Sequence, residues 1–67
     1  MEKIINEKFG CQIISKGDKL YIRFDEGEIA VKFVEYEITE EESLEAMKSE
    51  LDAYKVCLAA QIRSRKI

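Results

Sequence analysis

The side chains of this chain with chemistry to offer are its carboxylates and its two cysteines. Glu35, Glu37, Glu40, Glu41, Glu42 and Glu45 crowd one short stretch. Carboxylates suit hard divalent cations, but a calcium loop needs Asp or Asn at alternating positions around a glycine, and that spacing is absent. The pattern reads as a solvated strand end running into the first turn of a helix, where the helix dipole favours anions. Glu50 and Asp52 extend the acidic stretch to residues 35–52, with Lys48 as its one cation. Such a stretch could imitate a phosphate backbone in a partner's nucleic-acid groove. The tail Arg63-Ser64-Arg65-Lys66 is basic and could contact phosphates with salt-dependent affinity, although no aromatic platform accompanies it. Residues 1–34 balance, and the whole chain carries a formal charge of −3, which excludes a uniformly basic nucleic-acid binder.

Nucleophilic catalysis has little to work with. There is no histidine to serve as base for Ser15, Ser43, Ser49 or Ser64. Cys11 and Cys57 lack one too, and neither sits at a helix N-terminus that would activate it. Two cysteines so far apart are not a zinc pattern, which needs close pairs. They read as buried free thiols in a reducing, cytoplasmic compartment, with a single disulfide as the alternative. No glycine-rich phosphate loop is present. The expectation is a protein with no catalytic residues, cofactor or metal, and not an enzyme.

These side chains need elements to position them. At 67 residues the chain is one domain, 1–67, and a fold this small commonly adds oligomerisation to its stability. The early charges in Met1-Glu2-Lys3-Ile4-Ile5-Asn6-Glu7 do not fit a secretory leader, and no apolar run approaches the roughly 20 residues of a membrane span. Alternation predicts strands over about 3–15, 19–25 and 28–38. Ser15-Lys16-Gly17-Asp18 and Asp25-Glu26-Gly27-Glu28 read as hairpin turns with glycine supplying positive φ, and Gly10 as a bulge or break. In the third strand Ile29, Val31 and Phe33 share one parity and Val34, Tyr36 and Ile38 the other, which predicts a bulge or a strand covered on both faces. Thr39 and Glu42 form a capping box that opens one long helix over about 40–65. The expected fold class is α+β: a three-stranded antiparallel meander followed by one long C-terminal helix packed on the sheet.

That helix has two apolar stripes. Leu44, Met47, Leu51, Tyr54, Leu58 and Ile62 form a stripe of large side chains, in part at heptad spacing; Ala46, Ala53, Cys57 and Ala60 form a stripe of small ones. The large stripe is expected to dock on Leu20, Ile22 and Phe24. The small stripe is then left open, and Ala46, Glu50, Ala53, Cys57 and Ala60 are the expected dimer interface, with Glu50 pointing out at its rim or, as the alternative, meeting Arg63 or Arg65 of an antiparallel partner helix. The functional expectation is a small homodimeric protein-interaction module, a regulator or inhibitor that binds another macromolecule. The alternative is a nucleic-acid-linked regulator or phage-type anti-defence protein using the acidic stretch 35–52 or the basic tail 63–66. Candidate partner-binding residues are Glu35, Glu37, Glu41, Glu45, Arg63, Arg65 and Lys66.

Overall fold

The computed structural model describes residues 2–27 and 29–65, with Arg65 described through its backbone. The fold is α+β, a four-stranded antiparallel sheet with two helices. The strands are β1 (Glu2–Asn6), β2 (Cys11–Lys16), β3 (Lys19–Asp25) and β4 (Phe33–Ile38), ordered β1-β2-β3-β4; the helices are α1 (Glu40–Ala46) and α2 (Glu50–Arg65). No helix among the described residues is long and apolar enough to cross a membrane.

The expected first strand is two strands. Phe9 and Gly10 both have positive φ, 62° and 75°, which L residues other than glycine rarely adopt and which no strand can continue through. Asn6 starts the reversal by accepting the Lys8 N–H at 2.9 Å. The next turn follows expectation. Lys16 pairs with Lys19, and Gly17 takes φ 64° at the first position of the two-residue loop, as a type II′ hairpin requires.

The third expected element is shorter than 28–38, and Glu28 lies outside the described residues. Pairing begins only at Phe33, opposite Asp25. Ile29 and Val31 lie in the preceding loop and are exposed. The change of parity therefore marks a strand start, neither a bulge nor a doubly covered strand. Asp25 holds the loop: its Oδ1 accepts the N–H groups of Gly27 and Lys32 at 2.9 and 2.8 Å. Gly27 is a matter of space, because a Cβ there would collide with the carbonyl of Ala30.

The capping box forms as expected. Thr39 accepts the Glu42 N–H at 3.1 Å and Glu42 Oε1 accepts the Thr39 N–H at 2.9 Å. The helix does not run to 65 in one piece. Met47 and Lys48 turn with i→i−3 hydrogen bonds to Leu44 and Glu45, and Ser49 caps a second helix by accepting the Asp52 N–H at 3.1 Å. Ser49-Glu50-Leu51-Asp52 is itself a capping signal, and it wins because the tertiary fold needs the chain to change direction there.

The largest departure concerns which stripe faces the sheet. Ala46, Ala53, Val56 and Ala60 are 1–3% exposed and pack with Cys11, Ile13, Ile22, Phe24 and Ile38. Most of the large stripe points away: Leu51 is 62% exposed, Tyr54 59% and Ile62 69%, while Met47 alone of the stripe packs against the core. The reason is volume. The sheet face supplies bulky side chains, including the tilted Phe24–Tyr36 ring pair 5.8 Å apart, so alanines on the helix let the two layers close and fill space at interior density.

Candidate functional site

Three surfaces carry the chemistry of the fold. The first is the outward face of the helices. At 100° per residue Leu51, Leu58 and Ile62 fall within about 40° of one another, diametrically opposite the buried Ala53, Val56 and Ala60. Leu44 and Tyr54 flank them, and all five are exposed large apolar side chains. Exposed large apolar side chains gathered on one helix face are the sort of patch that marks an interaction site.

The second surface is the sheet face that the helices leave uncovered. The register places Arg23 opposite Glu35 and next to Gln12, and Glu2 opposite Lys16. Arg23 donates to Glu35 Oε1 from Nε at 3.2 Å and from Nη2 at 2.8 Å, and reaches Glu2 at 3.1 Å. Lys16 Nζ donates to Glu35 Oε2 at 2.6 Å and lies 5.2 Å from the Tyr21 ring centroid. The Lys16 hydrogen bond, helped by Arg23 and opposed by partial burial, holds the Glu35 carboxyl below the usual carboxylate range. Ile14 lies on this face between Ile4 and Tyr21 and is fully buried.

The third surface is a cleft of about 360 Å³ between the β1–β2 turn and α2, lined by Cys11, Phe24, Tyr54, Cys57 and Leu58. Ala53 and Ala60 bring α2 close to the sheet, so that Cys57 packs against the core cluster that includes Cys11 and both thiols line the cleft. The Cys11 thiol donates to the Lys8 carbonyl at 3.6 Å. Accepting from Cys57 lowers Cys11 to about 7 against the cost of burial; donating to Cys11, together with burial, pushes Cys57 up. Both cysteines are free. Tyr36 and Gln61 donate to Glu26 Oε2 at 3.0 and 2.7 Å at the same end of the sheet.

Of the expected interface residues, Ala46, Ala53 and Ala60 are covered by the chain's own sheet, Cys57 lies beside Cys11, and only Glu50 is exposed. The small stripe is therefore not the open one. The expected partner-binding residues divide. Glu35 is committed to Lys16 and Arg23. Arg63 donates to both oxygens of Glu42 and to the Glu37 carbonyl. Glu37, Glu41 and Glu45 are exposed. Arg65 ends α2; its side chain and Lys66 lie outside the described residues. The described residues hold no group of three or more His, Cys, Asp or Glu arranged for a metal ion. Sequence reasoning missed the Arg23–Glu35–Lys16 network, for which strand register is the signal, and the meeting of the two thiols, for which there is none. No protein-family model, no curated protein and no solved structure matches this chain.

Proposed function

We propose that this chain is a small homodimeric protein-interaction module, a regulator that acts by binding another macromolecule, and that two copies meet through the outward face of α2. The observation that carries this reading is the exposure of Leu51, Leu58 and Ile62 on a helix whose opposite side is already buried. A second copy is the occupant the pattern fits. Residues 51, 54 and 58 repeat at heptad spacing, the seam along which helices pair. The start of α2 is acidic, with Glu45 before it and Glu50 in its first turn, while its end is basic in sequence, with Arg65 following the Arg63 already paired to Glu42; this polarity favours an antiparallel over a parallel pair. A stable dimer buries about 800 Å² per partner, so Tyr54, Leu44 and the stems of neighbouring charged side chains would have to join Leu51, Leu58 and Ile62 in the contact. The exposed Glu41 stays available to a third party, whereas Glu37 already lies 3.9 Å from Lys19.

Sedimentation equilibrium at micromolar concentration tests the reading. The wild type is expected to be dimeric, and Leu58→Glu or Ile62→Glu to be a monomer with an unchanged circular dichroism spectrum. A monomeric wild type across the whole concentration range counts decisively against it. The nucleic-acid alternative draws less support, because Arg63 is already paired with Glu42; absence of DNA or RNA binding at low salt would remove it.

A further inference from the structure

The Cys11–Cys57 pair goes beyond the docking surface. It joins the start of β2 to the middle of α2, at a cleft rather than in the closed core. Its surroundings are unusual in two further respects. The turn that precedes Cys11 holds Phe9 in the left-handed region, a conformation that costs about 1–3 kcal/mol and concentrates at functional sites. Gly10 leaves the approach beside Cys11 open, since a Cβ there would meet nothing within 4 Å. Asp25, Glu26 and Glu50 also line the cleft; Glu26 is paired with Lys32 at 3.9 Å, and Asp25 and Glu50 leave the lining net acidic.

We propose that Cys11 and Cys57 form a thiol–disulfide exchange site for small disulfides, with a preference for those that carry amines over those that carry carboxylates. Cys11 is the attacking thiol. Its thiolate attacks one sulfur of the small disulfide; the S–S bond breaks, one half leaves and takes up a proton as a free thiol, and a mixed disulfide forms on Cys11. The Cys57 thiol then loses its proton to solvent and its sulfur attacks the Cys11 sulfur. The second half leaves as a thiol and the Cys11–Cys57 bond forms. Two protein thiols are oxidised by two electrons and one small disulfide is reduced to two thiols. The asymmetry of the pair supports these roles: the hydrogen bond from Cys57 favours the Cys11 thiolate and keeps Cys57 protonated, the division of labour that exchange chemistry uses.

Folded wild-type protein is incubated at pH 7 with cystamine or with oxidised glutathione and read by mass spectrometry with non-reducing peptide mapping. The expected result is loss of two hydrogens with the Cys11 and Cys57 peptides joined. Cystamine should react at least several-fold faster than oxidised glutathione at low salt, with the gap closing at high salt. Cys57→Ser should stop at the mixed disulfide on Cys11. Failure of the wild type to form the bond while folded overturns the proposal, as does a bond found only between two chains. Faster reaction with oxidised glutathione overturns the preference for amines. The wild-type map decides whether or not the serine variant folds.

Discussion

Arg63, in the last turns of α2, grips Glu42, in the first turn of α1: Nη1 and Nη2 reach the two carboxylate oxygens at 3.1 Å each. The same guanidinium donates to the Glu37 carbonyl at 2.8 Å. One side chain thus ties together the end of β4, the capping box and the far end of the helical layer. Arg63 is half exposed, so screening limits what the pair contributes. Arg63→Ala should lower stability by about 0.5–1 kcal/mol, in the range of exposed ion pairs with good geometry. Arg63→Lys should recover little of it, because an ammonium cannot span both oxygens. Urea denaturation at low and high salt checks this, and a loss that ignores salt would contradict it.

Acid should act first through Glu35, Asp25 and Glu42. Each carboxyl is held below its usual value in the folded protein: Glu35 by Lys16 and then Arg23, Asp25 by the N–H groups of Lys32 and Gly27, and Glu42 by Arg63 and Thr39 against the opposing effect of burial. A lowered folded pKa means that the unfolded chain binds protons first as pH falls. Their stabilisation is therefore complete above the ordinary carboxylate range near 4 and is lost as pH drops through the lowered values. Thermal melts between pH 7 and 2.5 should show falling Tm mainly below pH 4.5. Glu35→Gln should melt lower than wild type at pH 7, and the difference should vanish at the acid end. A constant difference at every pH would remove Glu35 from the account.

The parts of this fold that were legible in the sequence are those fixed locally. Thr39 and Glu42 announce a cap because both partners lie within one turn; Gly17 announces a hairpin because the two-residue loop demands its φ. The α+β class follows from the change of period between the two halves of the chain. What was not legible depends on neighbours distant in sequence. Which face of α2 turns inward could not be read from apolarity, because large residues occupy one face and small ones the other. The choice belongs to Ile13, Ile22, Phe24 and Tyr36, whose bulk leaves room only for alanine and valine. The Glu35 network was hidden for a related reason. The loop 26–32 sets the β3–β4 register, and only that register puts Glu35 opposite Arg23. The Cys11–Cys57 meeting required both pieces at once.

Ile14 should behave as a core residue although no helix covers its side of the sheet. It is fully buried and sits beside Ile4 and Tyr21 in register. Long side chains of the charged network can screen apolar surface with their stems. Ile14→Ala should cost about 2–5 kcal/mol, the usual range for such a truncation in a packed interior. A domain of this size has about 3–10 kcal/mol in total, so the variant should be close to unfolding at 37 °C. Equilibrium urea unfolding beside Ile4→Ala, whose side chain is 44% exposed, gives the comparison. Similar losses at the two positions would mean that the network leaves Ile14 wet.

Ala53 and Leu58 provide the sharpest contrast, since size and burial run opposite ways. Ala53 is 1% exposed and faces the sheet; Leu58 is 38% exposed on the other side of the same helix. Ala53→Leu adds three carbons where α2 closes on the sheet, and overpacking of that kind costs about 1–3 kcal/mol. It should also push Cys57, one turn on, away from Cys11. Leu58→Ala should cost the isolated chain about 1 kcal/mol, less than a core truncation, because Leu58 is 38% exposed and packs only at the cleft wall within one copy. Any dimer contribution is separated by repeating the urea titration at several protein concentrations, since only association makes the midpoint concentration-dependent. The opposite ranking, with Leu58→Ala severe at high dilution and Ala53→Leu harmless, would return the large stripe to the sheet and turn the helix over.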